Sequence, residues 1–140
     1  YTLSLHDALP ISNFSTVAGV PLSEVLKKED IDDIVNKTKN GGAQIVKLLE
    51  TGSAYYAPAY ATSKMVEAIL EDKKEVYPCA VKLEDEYGYH DIVSGVPIML
   101  GKDGVEKIIE LDLNKSQKEE FDKSIKSVQE LVDVLEEKFF

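Results

Sequence analysis

Arginine is absent from this chain: all sixteen basic residues are lysines. That removes the planar, two-pronged clamp that grips carboxylates, which a lysine ammonium does not reproduce. Tryptophan is missing too, and cysteine occurs once, as Cys79. A lone cysteine forms no intrachain disulfide, and the expectation is a reducing, cytoplasmic compartment. No apolar run approaches the roughly 20 residues that span a bilayer. The N-terminus has no basic stretch followed by an apolar core, so neither a membrane segment nor a signal peptide is expected. No Gly-rich phosphate cradle of the GxGxxG or GxxxxGK[ST] kind occurs, since Gly101 and Gly104 belong to a hairpin. The Asn-x-Ser/Thr matches at Asn13, Asn36 and Asn114 are chance in a cytosolic protein.

What is present is acidic. The formal net charge is −10. This disfavours nucleic acid and anionic membranes, both of which need clustered basic groups. At 140 residues and 44% hydrophobic content, the chain suffices for one domain with a core.

Residues 13–18 suit a short strand, turning at Gly19-Val20-Pro21, and Pro21 opens a brief helical turn. Residues 28–49 are expected to form a long helix, with Ile31, Ile34, Val35, Ile45, Leu48 and Leu49 at three- and four-residue steps. Gly41-Gly42 interrupts it, at a cost of about 1 kcal/mol each relative to alanine, tolerable where another backbone approaches or the helix bends. Gly52 is a stop signal. A second helix runs from near Pro58 to Leu70, with Met65, Val66, Ile69 and Leu70 inward. The period then changes to two. Residues 75–83 read as a strand with apolar residues on both faces, 84–88 as an exposed turn, and 91–94, 96–100 and 105–113 as further strands. Lys102-Asp103-Gly104 makes a tight hairpin turn. Residues 116–139 are helical, with a stripe of Phe121, Ile125, Val128, Leu131, Val132 and Leu135, and Ser116 with Glu119 forms a capping box. The fold class expected is α+β, long helices packed on antiparallel strands and ending in a helix.

Chemistry-bearing candidates are few. Cys79, His90 and the carboxylates show no metal-ligand spacing, so no metal site is expected. Cys79 sits mid-strand among apolar residues, which suits a structural cysteine. His90-Asp91 are neighbours on a strand and point to opposite faces, so His90 is a turn or surface residue. There remains Gly-Ser-Ala-Tyr-Tyr-Ala-Pro, residues 52–58. On composition alone it is an interhelical turn whose small residues permit close packing and whose tyrosines fill core.

Three stretches carry a family resemblance: residues 40–71, Ser-Thr-Val-Ala-Gly-Val-Pro-Leu at 15–22, and Val-Pro-Ile-Met-Leu-Gly at 96–101. Together they resemble the lactate/malate dehydrogenases, more closely the malate dehydrogenases of lactate-dehydrogenase type, from about Phe14 to about Leu135. The resemblance implies the C-terminal, substrate-binding domain, residues 13–140, without its NAD-binding Rossmann half. It implies an oligomeric parent enzyme that oxidises malate to oxaloacetate by hydride transfer to NAD, and a fragment inactive alone. It places Ser53 and Ala54 in the substrate pocket and Pro58 against the nicotinamide, with Ser15–Gly19 helping to build the cavity. Small side chains there leave room for a larger carboxylate, and apolar ones keep water from the hydride path. The alternatives are a lactate dehydrogenase fragment and a non-catalytic acidic module for interaction or oligomerisation.

Residues 1–12 look like the in-frame translation of a sequencing adapter and are set aside as a scar. The family's His-Gly-Asp motif, counted back from Ser15 without gaps, puts its histidine on Ser4 and its aspartate on His6. His6-Asp7 therefore misses by position and by pattern, and no catalytic residue is assigned.

Overall fold

The computed structural model describes residues 14–139. Alternation decides where its core lies. Along β3 (Glu75–Glu84) the side chains of Tyr77, Cys79, Val81 and Leu83 turn inward. Along β4 (His90–Gly101) Ile92, Ser94, Val96, Ile98 and Leu100 do the same. The strands pair antiparallel with Tyr77 opposite Ile98, Cys79 opposite Val96 and Leu83 opposite Ile92, so the two rows form one apolar face. β5 (Gly104–Ile108) completes a sheet of order β3-β4-β5. A second, two-stranded ribbon joins β1 (Thr16–Val17) to β2 (Val20–Pro21). The helices are α1 (Leu22–Val25), α2 (Lys28–Leu49), α3 (Tyr56–Leu70) and α4 (Lys115–Phe139).

The inward sheet face packs against α3 and the first half of α4. Ala68 is wholly buried, Met65 and Ile69 lie against the same cluster, and Phe121 and Ile125 close it from α4. Fully burying a side chain the size of Phe121 stabilises by about 1.5–3 kcal/mol. The α+β expectation holds, with helices on antiparallel strands and a C-terminal helix.

Several local expectations are corrected. The strands expected at 91–94 and 96–100 are one, because Gly95 stays in the ladder opposite Ala80. The strand expected over 105–113 stops at Ile108. Its end has a chemical cause. Pro97 accepts the Ile109 N–H at 2.8 Å but has no N–H to return, so the reciprocal bond that would extend the ladder is missing. Pro97 also stands opposite Pro78. A hydrogen-bonded antiparallel pair exchanges two N–H···O bonds, so this pair must occupy a non-hydrogen-bonded position, which fixes the register.

The cap of α4 is not Ser116 with Glu119. The Gln117 N–H donates to Asn114 Oδ1 at 3.0 Å, and the Asn114 N–H donates to Gln117 Oε1 at 3.0 Å, a reciprocal box two residues earlier. The turn at 84–88 is pinned rather than merely exposed. Tyr87 adopts φ 57° and its ring lies 5.2 Å from that of Phe121. Its hydroxyl donates to the Ile109 carbonyl at 2.6 Å and accepts from the Leu111 N–H at 3.0 Å.

The apolar stripes are covered only in part. On α3, Met65 and Ile69 face in as expected, but Val66 and Leu70 face out, Leu70 at 80% exposure. On α4, Leu131, Val132 and Leu135 are exposed, and α2 buries no residue at all. Nothing lies within 4 Å of where a Cβ would stand on Gly41 or Gly42, so no backbone approach explains that pair here. On β3, Val76, Pro78 and Ala80 are exposed, so only one face of that strand joins the core. Among the described residues no helix is long and apolar enough to cross a membrane.

Candidate functional site at the amino end of α3

The connection from α2 to α3 begins with two residues in left-handed backbone conformations, Glu50 at φ 60° and Gly52 at φ 93°. α2 ends at Leu49 with Glu50 as its cap, so the stop comes before Gly52; at Gly52 a side chain would be strained, which explains a glycine in the connection. Ser53 follows, exposed, then Ala54, half-buried, then Tyr55, and the helix starts at Tyr56. Pro58 is the third helical residue. Its missing N–H is one that a helix start leaves without an intrahelical partner in any case. The Pro58 carbonyl accepts the Thr62 hydroxyl at 2.9 Å. The three expected site residues thus sit on one short connection: Ser53 and Ala54 lead into the helix and Pro58 lies in its first turn.

No side chain caps this helix start. Its first amides and the partial positive charge of the helix end suit a carboxylate ligand. The surroundings are aromatic and open. Tyr55, Tyr56 and Tyr60 are exposed, with the first two rings 4.7 Å apart. The reading of these tyrosines as core filling is therefore wrong for this chain. Farther along α3, Thr62, Ser63, Val66, Glu67, Leu70 and Glu71 line an open groove of about 360 Å³. Thr62, Val66 and Leu70 continue from Pro58 in steps of four, so groove and helix start belong to one slanting surface of α3. On the wall of the groove Glu67 is held by Lys64 at 2.7 Å and by Lys73. These two ammonium groups bring its carboxyl down to about 2.

The other candidates lie elsewhere. Ser15–Gly19 holds β1 and the turn into β2, through Ala18 at φ 51° and Gly19 at φ 84°, and the Leu22 N–H reaches back to the Ser15 carbonyl at 3.1 Å. His90 is exposed at the start of β4, its Nδ1 3.1 Å from Asp85 Oδ1, whereas Asp91 pairs with Lys82 at 2.6 Å. The two neighbours serve different partners. Cys79 is half-buried with its Sγ 4.0 Å from the Met65 sulfur. Burial pushes its thiol up, the opposite of an activated nucleophile. His6 and Asp7 lie outside the described residues. Among the described residues no group of three His, Cys, Asp or Glu side chains could hold a metal ion.

A cluster that sequence reasoning missed braces the sheet turn on α4. Lys118 donates to the Tyr87 carbonyl at 3.0 Å, pairs with Asp122 at 3.0 Å and lies 4.4 Å from the centre of the Tyr89 ring. The Tyr89 hydroxyl donates to Asp122, and burial first, then that carboxylate, raises the phenol to about 12. The lysine and aspartate four residues apart were visible as a helix pair. Their reach to Tyr89 depends on how β4 packs, which spacing does not reveal.

Residues 6–139 match the family described as lactate/malate dehydrogenase, alpha/beta C-terminal domain. The match starts inside the twelve residues set aside above. The chain is 66% identical over 132 residues to a malate dehydrogenase of Aliarcobacter butzleri, covering 94% of this chain and 42% of that protein. It is 57% identical over 135 residues to a malate dehydrogenase of Sulfurimonas denitrificans, covering 96% and 42%. Among solved structures, malate dehydrogenase from Salinibacter ruber superposes with TM-score 0.87 at 40% identity, over 92% of this chain and 42% of that one. Lactate dehydrogenase from Eimeria maxima with NADH and oxamate gives the same score and identity over 91% and 40%. The chain therefore spans well under half the length of the proteins it matches.

Proposed function

The chain belongs to the lactate/malate dehydrogenase family by its alpha/beta C-terminal domain, and from that premise we propose that it is the substrate-binding part of an NAD-dependent malate dehydrogenase. The observation that carries the reading is the 66% identity to a malate dehydrogenase across nearly the whole chain. The geometry supports it. A helix start without a side-chain cap, a small residue before it and a proline in its first turn offer backbone N–H groups to a carboxylate and an apolar side chain to a nicotinamide ring.

In this reading Ser53 and Ala54 line the substrate pocket, and Ala54 leaves space for the second carboxylate of malate. Pro58 abuts the nicotinamide. NAD, when bound, supplies the hydride acceptor for C2 of the substrate. The residues of this chain fit only the nicotinamide end of such a cofactor, since a Gly-rich dinucleotide turn is absent from the sequence. The carboxylate clamp belongs to the absent part of the parent, because this chain has no arginine. The histidine that takes the hydroxyl proton also lies upstream, and residues 1–12 are a scar standing in its place. The exposed apolar surfaces of α2, α3 and the distal half of α4 are those that the absent part, and further copies in a homo-oligomer, cover. The lone Cys79 accords with a cytoplasmic enzyme.

The test joins this chain to the coding region upstream of Asn13 and follows NADH formation with malate and with lactate. The chain alone should be inactive and the joined protein active on malate. Preference for lactate would replace malate as substrate. Activity with neither, from a joined protein that folds, would overturn the enzyme reading in favour of an acidic association module. The same genomic DNA tests the scar: an intact His-Gly-Asp motif there supports it, and codons for residues 1–12 after a start codon refute it.

A further inference from the structure

We draw no further inference here: the strongest candidate, the open groove of about 360 Å³ along α3 between Thr62 and Glu71, belongs to the surface already assigned to the absent part of the parent.

Discussion

Leu70 gives the sharpest test of whether this chain is a part of something larger. It lies on the outer side of α3 at 80% exposure, while Ala68, two residues earlier, is wholly buried. Burying a leucine completely stabilises by about 1.5–3 kcal/mol, so a leucine left this exposed contributes little. In the chain by itself Leu70→Ser should therefore change unfolding stability by no more than about 0.5 kcal/mol. If the absent part of the parent covers this surface, the same substitution in the joined protein should cost about 2–5 kcal/mol, the range for deleting a packed core side chain. Phe121→Ala serves as the control, since Phe121 is 1% exposed and packs on Tyr87 and Tyr89. It should cost about 3–5 kcal/mol in either form. Urea denaturation followed by far-UV circular dichroism gives both values. Equal, small effects of Leu70→Ser in the two forms would refute the claim that this side of α3 is an interior surface of the parent. A large effect in the chain alone at low protein concentration would refute the exposure itself.

Four further outcomes follow from local chemistry. Asn114→Ala removes the acceptor for the Gln117 N–H; it should lower stability by about 1 kcal/mol, whereas Ser116→Ala should leave a thermal melt nearly unchanged. Glu67 has a carboxyl lowered from 4.5 to about 2. Because the unfolded chain binds the proton first, its stabilising effect is present above pH 4.5 and fades as pH falls towards 2, and Glu67→Gln should flatten the acid limb of stability against pH. Tyr89 behaves oppositely: its phenol is raised from 10 to about 12, so its stabilising effect is intact below pH 10 and fades as pH rises towards 12, and Tyr89→Phe should abolish that alkaline slope. Cys79, half-buried with a raised thiol, should react with a thiol-specific disulfide reagent far more slowly in the folded chain than in urea, and equal rates would contradict its placement.

The sheet was largely legible because its signals are chemical and local. Alternation set the inward rows of β3 and β4, and Asp103-Gly104 set the hairpin that the β4–β5 pairing confirms. The end of β5 was also encoded, in Pro97, but only register reveals that Ile109 is the residue it fails to answer. Tyr87 shows the opposite case. Its neighbours Glu84, Asp85, Glu86 and Gly88 have the composition of a solvated turn, and only packing against α4 turns the ring inward. The candidate site was legible as sequence but not as geometry. Residues 52–58 were singled out as an interhelical turn, and the turn and the helix start near Pro58 are present, while α2 stops at Leu49 with Glu50 rather than Gly52 as its cap. The outward direction of the tyrosines was not readable, because an aromatic residue at a helix start satisfies a core pattern and an interface pattern equally well. α3 states the limit most clearly. Met65, Val66, Ile69 and Leu70 form a band wide enough to bury two adjacent sides of a helix, and periodicity cannot divide such a band between two partners. The structure covers the Met65–Ile69 side with the sheet and leaves the Val66–Leu70 side bare. A helix that spends a band this wide on one partner has more apolar surface than that partner needs, and such an excess on α2, α3 and α4 together is what a domain cut from its neighbour presents.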